Sequence, residues 1–475
     1  MSASIAILGA GPAGLGAAYR FARRGGFPVT VLERQQSVGG NAGSFDLAGL
    51  RVDYGSHRLH PACAPEILAD IQSLLKEDLL DRPRHGRMRI RGRWVHFPLK
   101  PLDLAANLPP SFTFGVLRDT LGKLAGGKRE ETFEGLLRRG LGRTICEDFY
   151  FPLAKKIWGA DPSELDAEQA RRRVAAGSIG KMVRKVLHAV PGFQPKGAGR
   201  FYYPRRGFGQ ISDAYYCAAL KAGARIHLNT PVTAIELDAR GRAAAVRFEQ
   251  GGQQQRIAAK LVLSTIPISA LARMVTGETG QRAAPEHVIE AARSLKFRAM
   301  ILVYLVLETE RFTEFDAHYL PDPAVAITRL SEPKNYGLAA LPGKTVLCAE
   351  LPCAVTDAVW KASDEELGEL VRDALGKAGL PVRAKVLEVT ARRLPQAYPI
   401  YTRDYRRHFD AISNWIDGID GLVTFGRQGL FAHDNTHHTL AMAYALDNCI
   451  GADGQLDRQK WQACLQEFTK HVVED

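Results

Sequence analysis

Short apolar runs and helically patterned segments alternate along the first part of the chain. Residues 4–8 form a short, mainly apolar run, as expected for a parallel strand that is buried on both faces. Residues 12–24 then carry apolar side chains at helical spacing, and residues 29–32 form a second apolar run. This order predicts strand, helix and strand, which is how an α/β fold with a parallel sheet begins.

The pattern changes in the middle of the chain and returns at its end. Residues 100–195 are predominantly helical in pattern, whereas residues 290–395 favour the strands of one antiparallel sheet followed by a helix. Near the end, residues 422–425 predict a strand and residues 436–449 predict a helix capped by Asn435 or Thr436. The strand-and-helix pattern of the start is therefore repeated at the end, and the middle differs from both.

The turn between the first strand and the first helix is rich in glycine. Gly9, Gly11 and Gly14 have the spacing G-x-G-x-x-G, which permits a tight turn, close approach of the backbone to a pyrophosphate, and packing of the helix on the sheet. Glu33 ends the second strand, where a carboxylate accepts hydrogen bonds from ribose hydroxyls. The alternative is a glycine-rich turn that binds no nucleotide. The residues assigned to the dinucleotide are Gly9, Gly11, Pro12, Ala13, Gly14, Glu33 and Arg34.

A second glycine pair, Gly39-Gly40, follows soon after Glu33 and precedes Asn41. The segments GGNA at 39–42 and GSHRLH at 55–60 resemble flavoproteins of the amine oxidase, protoporphyrinogen oxidase and phytoene desaturase superfamily, and most of all its UDP-galactopyranose mutase branch. This resemblance implies that FAD is the cofactor, and that a second stretch of backbone packs on its diphosphate. It also implies that Gly55, Ser56 and His57 lie near the flavin ring.

Further resemblance to the superfamily implies cofactor contacts later in the chain. Val232 matches a position where the backbone binds the adenine, and the loop at Gly426 and Arg427 precedes the last helix. In the superfamily the start of this helix points at the pyrimidine edge of the flavin, where it stabilises the negative charge of the reduced ring. Asn435, Thr436 and His437 are therefore expected beside the ring, with His437 where relatives often carry an acidic residue.

The resemblance implies a discontinuous, Rossmann-like FAD-binding domain of the glutathione reductase type, with an inserted α+β substrate domain. The FAD-binding domain is predicted to comprise residues 1–75, 200–275 and 415–475, and the substrate domain residues 76–199 and 276–414. The Gly-Gly-Cys-Tyr run that attaches flavin covalently in amine oxidases is absent, and LPQAYPIY stands in its place. The FAD is therefore predicted to be non-covalent.

The composition narrows the class of partner. The 475 residues carry a net charge of +12, which agrees with simple solubility, with an anionic substrate or with attraction to an anionic membrane surface. The basic residues are spread along the chain, so nucleic acid is not expected. No apolar run approaches the ~18 residues of a membrane span. An odd number of cysteines, seven, and a strand that begins at residue 4 predict a cytoplasmic protein without a signal peptide.

Several side chains are candidates for chemistry. Arg298 and Arg329 are candidate anion contacts, with structural salt bridges as the alternative, and His57 and His437 are candidates beside the flavin. The alternating arginines 87, 89, 91 and 93 predict a hairpin that either clamps an anion or forms a solvated sheet edge. His57 and His60 are not accompanied by a carboxylate or cysteine at ligand spacing, so no metal site is predicted.

The function predicted from these features is that of an FAD-dependent oxidoreductase acting on a small organic molecule. Hydride would pass from the substrate to flavin N5, and oxygen, a quinone or another acceptor would then reoxidise the flavin. One alternative is a sugar mutase of the UDP-galactopyranose mutase type, which has no net redox change. Another is a protein without enzymatic activity that uses flavin for assembly. The substrate and the oligomeric state stay open at this point.

Overall fold

A computed structural model of the protein describes residues 4–97, 100–121, 131–173, 199–338 and 341–473. The strands in these ranges are β1 (Ile5–Leu8), β2 (Val29–Leu32), β3 (Ser44–Leu47), β4 (Leu50–Asp53), β5 (Leu79–Pro83), β6 (Gly86–Ile90), β7 (Arg93–Phe97), β8 (Arg200–Pro204), β9 (Arg225–His227), β10 (Val232–Leu237), β11 (Ala243–Gln250), β12 (Gln253–Ala258), β13 (Leu261–Ser264), β14 (Val275–Thr276), β15 (Lys296–Leu307), β16 (Ala317–Tyr319), β17 (Arg329–Ser331), β18 (Thr345–Cys353), β19 (Val386–Ile400) and β20 (Leu422–Thr424).

The same described ranges contain sixteen α-helices. The α-helices are α1 (Pro12–Arg24), α2 (Pro65–Leu75), α3 (Pro101–Asn107), α4 (Pro110–Leu121), α5 (Phe133–Leu141), α6 (Arg143–Ile145), α7 (Phe151–Trp158), α8 (Ala167–Arg173), α9 (Gln210–Lys221), α10 (Ile268–Met274), α11 (Glu286–Ser294), α12 (Asp364–Lys377), α13 (Tyr405–Asp417), α14 (Gly426–Gly429), α15 (Thr436–Cys449) and α16 (Arg458–Phe468). A π-helical turn at Cys146–Tyr150 joins α6 to α7.

A five-stranded parallel sheet in the order β20-β13-β1-β2-β9 organises the fold. Alternate residues of β1 enter two different cores. Ile5 and Ile7 pack with helices α1, α9 and α15, whereas Ala6 and Leu8 pack with α10 and α13 on the opposite face. Burial on both faces explains why β1 has no charged position.

All five strands of this sheet lie in the three segments predicted for the FAD-binding domain. Between them, the chain forms a seven-stranded mixed sheet in the order β19-β15-β18-β17-β16-β6-β7. All of its strands lie in the segments predicted for the substrate domain, and the helices α3 to α8 come from the same part of the chain. The α/β fold class is confirmed, and the domain boundaries stay a prediction.

The strongest local patterns gave accurate elements. The predicted α1, β2 and α15 have the expected bounds, and Asn435 is the residue before α15. The longest strand, β19, was not predicted from the sequence, because it contains two prolines and a charged Arg392-Arg393 pair. Its pairing with β15 along one edge of the large sheet overrides those local preferences.

Two further observations bear on the predicted class of the protein. The seven cysteines are all free of disulfide bonds. Within the ranges that the structure describes, none of the helices is both long enough and apolar enough to cross a membrane.

Candidate active site

One large cavity, of about 2000 Å³, runs from the carboxyl ends of β1 and β2 to the helices α3 to α7. Pockets for single small ligands are typically ~300–1,000 Å³, so this cavity has room for a dinucleotide cofactor and a second molecule. In an open parallel sheet, the carboxyl ends of the strands are the usual place for a bound nucleotide. The predicted cofactor residues can therefore be located relative to this cavity.

The first glycine segment forms a close backbone turn at the cavity wall. Gly9 has a φ of +99°, and a Cβ there would lie 2.5 Å from Thr265 Oγ1. A Cβ at Gly14 would overlap the carbonyl oxygen of Gly9, whereas a Cβ at Gly11 would meet nothing within 4 Å. The space beside Gly11 belongs to the cavity, and no side chain caps the start of α1. Free backbone N–H groups at a helix start are an anion-binding arrangement.

Glu33 borders the cavity at the end of β2 and is 8% exposed. The backbone N–H of Ala10 donates to its Oε2 at 2.7 Å, and the N–H of Gln35 donates to its Oε1 at 2.8 Å. Each carboxylate oxygen has a second lone pair, so both can also accept a ribose hydroxyl. Glu33 thus fixes the glycine turn as well as facing the cavity, and Arg34 lies beside it in the wall.

The second glycine segment contacts the first one. The N–H of Gly39 donates to the Ala10 carbonyl oxygen at 2.8 Å. Gly39 has a φ of +103°, and a Cβ there would lie 2.7 Å from Gly43 Cα. A Cβ on Gly40 would be 3.6 Å from Gly11 Cα, so the two segments flank the same part of the cavity. This arrangement suits a diphosphate that is enclosed by backbone on two sides.

His57 lies in the cavity wall, where its ring stacks on Phe208 with the centroids 5.3 Å apart. Its Nε2 is 2.9 Å from the carbonyl oxygens of Asn41 and Tyr54. Because carbonyl oxygens only accept, Nε2 carries the proton and donates to both. Burial lowers the pKa of His57. His57 therefore orients the segment after the second glycine pair, and its chemical role beside the flavin stays a prediction.

The residues before His57 connect this segment to the large sheet. The Ser56 N–H donates to Glu350 Oε1 at 3.1 Å, and the Ser56 hydroxyl is 2.6 Å from the Tyr336 hydroxyl. A Cβ on Gly55 would be 3.4 Å from the same Glu350 oxygen. Ser56 borders the cavity, and Gly55 lies behind it.

Two buried ion pairs lie where the cavity meets the large sheet. Arg329 Nη2 is 2.7 Å from Glu350 Oε1, and Arg58 Nη2 is 3.1 Å from Asp316 Oδ1. Both arginines border the cavity, and the side chains of both acids are at most 6% exposed. The geometry favours the salt-bridge alternative for Arg329, since its charge is already compensated. Arg58, Asp316 and Glu350 were not selected from the sequence, because nothing local indicates that these distant residues pair.

Arg298 does not border the cavity. Its guanidinium packs against Gly159, where a Cβ would be 2.5 Å from Nη1, and its Nη2 donates to the Pro352 carbonyl oxygen at 3.3 Å. Burial lowers the pKa of Arg298. The prediction that Arg298 contacts a bound anion is therefore corrected, because the side chain joins α7 to the end of β18.

The C-terminal loop closes the cofactor end of the cavity. Arg427 Nη2 donates to the Ala397 carbonyl oxygen at 2.8 Å, and Nη1 donates to that of Asp434 at 3.2 Å. Burial lowers the pKa of Arg427, and its buried Nε makes no hydrogen bond within the described ranges. Gly426 packs on Ala13, since a Cβ there would be 2.8 Å from the Ala13 Cβ. This contact joins the loop to the start of α1.

The start of α15 also faces the cavity, with one exception to the prediction. Asn435, Thr436 and Thr439 border the cavity, as the spacing of one helix face requires. His437 is one position out of phase with that face. It is 5% exposed and packs its ring 4.1 Å from that of His438, away from the cavity wall. The expectation that His437 lies beside the flavin is corrected on this ground.

The far part of the cavity, here called the apolar arm, is formed by side chains of the helical segment and the β6–β7 hairpin. Its apolar residues are Met88, Ile90, Phe97, Leu104, Phe112, Val116, Phe133, Ile145, Phe149, Tyr150, Leu153, Ala154, Ile157 and Trp158. In β6, Met88 and Ile90 face the cavity, whereas Arg87 stacks on Trp94 and Arg89 pairs with Asp322. The hairpin arginines therefore do not clamp an anion in this cavity.

Comparison with known proteins identifies the family. Residues 12–423 match the family described as flavin containing amine oxidoreductase. The chain belongs to this family. Spinach (Spinacia oleracea) chloroplastic protoporphyrinogen oxidase 1 is 24% identical over 447 residues, 88% of this chain and 76% of that protein. A rice (Oryza sativa subsp. japonica) chloroplastic protoporphyrinogen oxidase is 28% identical over 295 residues, 56% of this chain, and the match spans only 53% of that relative.

Two solved structures share the fold. Reduced UDP-galactopyranose mutase has a TM-score of 0.76 at 19% identity, covering 94% of this chain and 93% of that one. Putrescine oxidase bound to putrescine has a TM-score of 0.65 at 16% identity, covering 94% and 98%. Identities this low show a common fold and leave the substrate open.

Membership of the flavin containing amine oxidoreductase family makes FAD the cofactor and oxidoreduction the enzyme class. The residues of this chain fit FAD. The open position at Gly11, the uncapped start of α1 and the buried Glu33 carboxylate match a diphosphate and a ribose. Val232 borders the cavity with Thr230 and Pro231 at the end where the adenine is expected.

Proposed function

We propose that this amine oxidoreductase oxidises a large, mainly apolar organic molecule. Bound FAD supplies the chemistry, since flavin N5 takes a hydride from a substrate and passes the electrons to oxygen, a quinone or another acceptor. The observation that carries the proposal is the apolar arm, which extends a cavity of about 2000 Å³ well beyond the cofactor residues. A small polar amine would fill little of the space that the apolar arm encloses.

The residues of the chain would bind, orient and shield rather than transfer protons. Gly11, Glu33 and Gly40 would hold the diphosphate and ribose through the contacts described above. The start of α15, at Asn435 and Thr436, would place its positive helix end towards the negative charge of the reduced flavin. The apolar arm would exclude water from the reacting carbon.

An anionic group on the substrate is supported by Arg392. This exposed residue borders the cavity, and its guanidinium lies 4.6 Å from the centre of the Phe45 ring. Within the described part of the chain it forms no ion pair, in contrast to Arg58 and Arg329. The two plant relatives are named protoporphyrinogen oxidases, so a porphyrinogen is the first substrate to test.

The test is the bleaching of the flavin's visible absorption under anaerobic conditions. We expect a porphyrinogen, or a polyprenoid of similar bulk, to reduce the flavin at micromolar concentration, whereas putrescine should leave it oxidised. Reduction by putrescine with no response to any bulky apolar compound would contradict the proposal. Arg392→Ala should weaken reduction only by substrates that carry a carboxylate, and Arg403→Ala serves as an arginine control outside the cavity.

The mutase alternative makes a different prediction. A UDP-galactopyranose mutase acts with reduced flavin and without net electron transfer, so activity would appear only after reduction with dithionite. Among the described residues that line the cavity, none favours this alternative over oxidation. Conversion of UDP-galactopyranose by the dithionite-reduced protein, together with the absence of bleaching by every candidate, would support the mutase. The non-enzymatic alternative is not supported, since the family is one of oxidoreductases.

We propose further that FAD is held without a covalent bond. None of the described residues that line the cavity is a cysteine, and the Nε2 of His57 is engaged by two carbonyl oxygens. Acid precipitation should release intact FAD into the supernatant. Yellow colour that stays with the precipitated protein would contradict this expectation.

Contact with a membrane surface is favoured by α3 and α4. Leu102, Phe114 and Leu117 are 86%, 70% and 55% exposed, and the same helices contribute Leu104 and Phe112 to the apolar arm. An apolar substrate could thus enter from a lipid surface that these side chains contact. The cytoplasmic location stays a prediction.

Sedimentation with anionic vesicles tests the membrane contact. The triple replacement of Leu102, Phe114 and Leu117 by serine should abolish vesicle binding. The matched control replaces Val355, Leu220 and Leu387, which are 46%, 39% and 37% exposed elsewhere on the protein. Equal vesicle binding by the two triple variants would show that α3 and α4 are not the contact surface.

A further inference from the structure

Three side chains that are distant in sequence meet beside the start of α15. The donor atoms of Asp434, His438 and His471 all lie within 4.8 Å of one another. Asp434 Oδ1 is 3.2 Å from His471 Nδ1 and 3.6 Å from His438 Nδ1. The imidazole rings are stacked nearly parallel with their centres 4.3 Å apart, so one ring would turn for both Nδ1 lone pairs to point at one ion. Two imidazoles and a carboxylate are a metal-binding set of ligands.

Two of the three separations between these atoms suit a tetrahedral ion. Zinc bonds to nitrogen and carboxylate oxygen are ~2.0–2.2 Å long, which places neighbouring ligand atoms roughly 3.3 Å apart. The two measured Asp434 separations bracket that value. A mixture of imidazole and carboxylate favours zinc-like transition metals over magnesium or calcium, which prefer oxygen ligands alone.

The carboxylate of Asp434 gives a second, independent indication of a ligand. Its side chain is 2% exposed, yet Oδ2 accepts no hydrogen bond within the ranges that the structure describes. A buried carboxylate oxygen normally has a partner, and a bound cation would supply one. The two histidine side chains are 14% and 18% exposed, so an ion can reach the cluster from solvent.

We propose that Asp434, His438 and His471 bind one divalent transition-metal ion of the zinc class, with water in the fourth position. The ion would replace two hydrogen bonds, one that the Asn435 N–H donates to His438 Nδ1 at 3.3 Å and one between His471 Nδ1 and Asp434 Oδ1 at 3.2 Å. His471 follows α16, whereas Asp434 borders the cavity and precedes α15. The metal would therefore tie the C-terminal segment to the wall of the active site, and this role is independent of the proposed oxidation.

The test is metal titration of the full-length, FAD-loaded protein without an affinity tag. After treatment with a chelator, cobalt(II) should give the intense visible absorption of a tetrahedral site, and zinc should displace it at one equivalent per chain. His471→Gln should weaken zinc binding at least about tenfold. Asp434→Asn should do the same, and the flavin absorption shows whether each variant is folded.

His408→Gln is the matched control. The His408 side chain is 16% exposed and its Nε2 lies 3.1 Å from an Asp404 oxygen, but that pair is not part of the three-residue cluster. The His408→Gln variant should leave zinc binding unchanged. Since the chain contains 13 histidines, equal zinc affinity in the wild type and His471→Gln would show that the metal binds elsewhere. The absence of a tetrahedral cobalt spectrum in the wild type would also overturn the proposal.

Discussion

The two ends of the cavity are built in different ways. At the cofactor end, the backbone of two glycine segments forms the wall, and a Cβ at Gly9, Gly14 or Gly39 would collide with neighbouring atoms. At the other end, the apolar arm is lined by side chains from the hairpin and several helices. The cofactor end therefore demands particular residues at fixed spacing, whereas the arm demands only apolar side chains of suitable size.

Because of this difference, substitutions at the two ends should have different effects. A change at the cofactor end should abolish or weaken FAD binding, whatever the substrate. A change in the arm should alter substrate binding and leave the FAD in place, because no residue of the arm takes part in the glycine turn. A single change that weakens both FAD binding and substrate binding would contradict this separation of the two ends.

The largest effect is expected for Gly11→Val. The new side chain would extend into the open space of the cavity, so the protein should fold and fail to bind FAD. Flavin absorbance after gel filtration measures occupancy, and circular dichroism reports the fold. Gly376→Val is the control, because its Cβ also meets nothing within 4 Å but lies on α12, outside the cavity. A yellow Gly11→Val protein would contradict the assignment of the cofactor end.

A smaller loss of FAD is expected for Glu33→Ala. Removal of a charge-assisted ribose contact typically costs about 1.5–3 kcal/mol, and the N–H groups of Ala10 and Gln35 also lose their acceptor. The dissociation constant of FAD, measured by fluorescence titration, should rise by about 10- to 150-fold. Glu33→Gln keeps one neutral acceptor, so its FAD dissociation constant should lie between those of the wild type and Glu33→Ala. Full FAD occupancy of Glu33→Ala after dilution and filtration would show that Glu33 does not bind the ribose.

In the apolar arm, Leu153→Ser should weaken substrate binding and leave FAD binding unchanged. Loss of apolar contact with a bulky substrate is worth about 1–2 kcal/mol, so the substrate concentration needed for half-maximal flavin bleaching should rise by about 5- to 30-fold. The affinity for FAD should stay that of the wild type. Leu220→Ser, at a 39% exposed position on α9, is the control. An equal fall in FAD affinity for Leu153→Ser would refute the separation of the two ends.

The smallest effect is expected for His437→Gln. Because His437 packs against His438 and lies outside the cavity wall, the flavin midpoint potential should stay within a few millivolts of the wild type. Thr436 lies in the cavity wall itself, so Thr436→Val should shift the flavin midpoint potential more than His437→Gln does. Spectroelectrochemical titration compares the three proteins. A shift of tens of millivolts in His437→Gln, the size expected if a charged side chain were ~4 Å from the ring, would place His437 at the flavin after all.

The contrast also explains which features could be predicted from the sequence. The strand, turn and helix at residues 5–24 were predictable, since backbone geometry there requires glycine at known spacing. The apolar arm was not, because Leu104 and Ile157 have the same helical periodicity as any core residue. Arg298 was assigned wrongly, since its contact with Gly159 depends on tertiary packing. For His437 the helix was predicted correctly, but a shift of one residue decides which side chain faces the cavity.

The order of strands in the parallel sheet has a consequence for how the protein is made. β1 lies at residues 5–8, whereas its neighbour β13 and the edge strand β20 follow only at residues 261–264 and 422–424, so β1 leaves the ribosome long before either of them. At ~5–20 residues per second, synthesis of the intervening chain takes on the order of tens of seconds. During this interval the apolar residues of β1 have no β13 to pair with, so the nascent chain is exposed to aggregation until β13 and β20 have been translated.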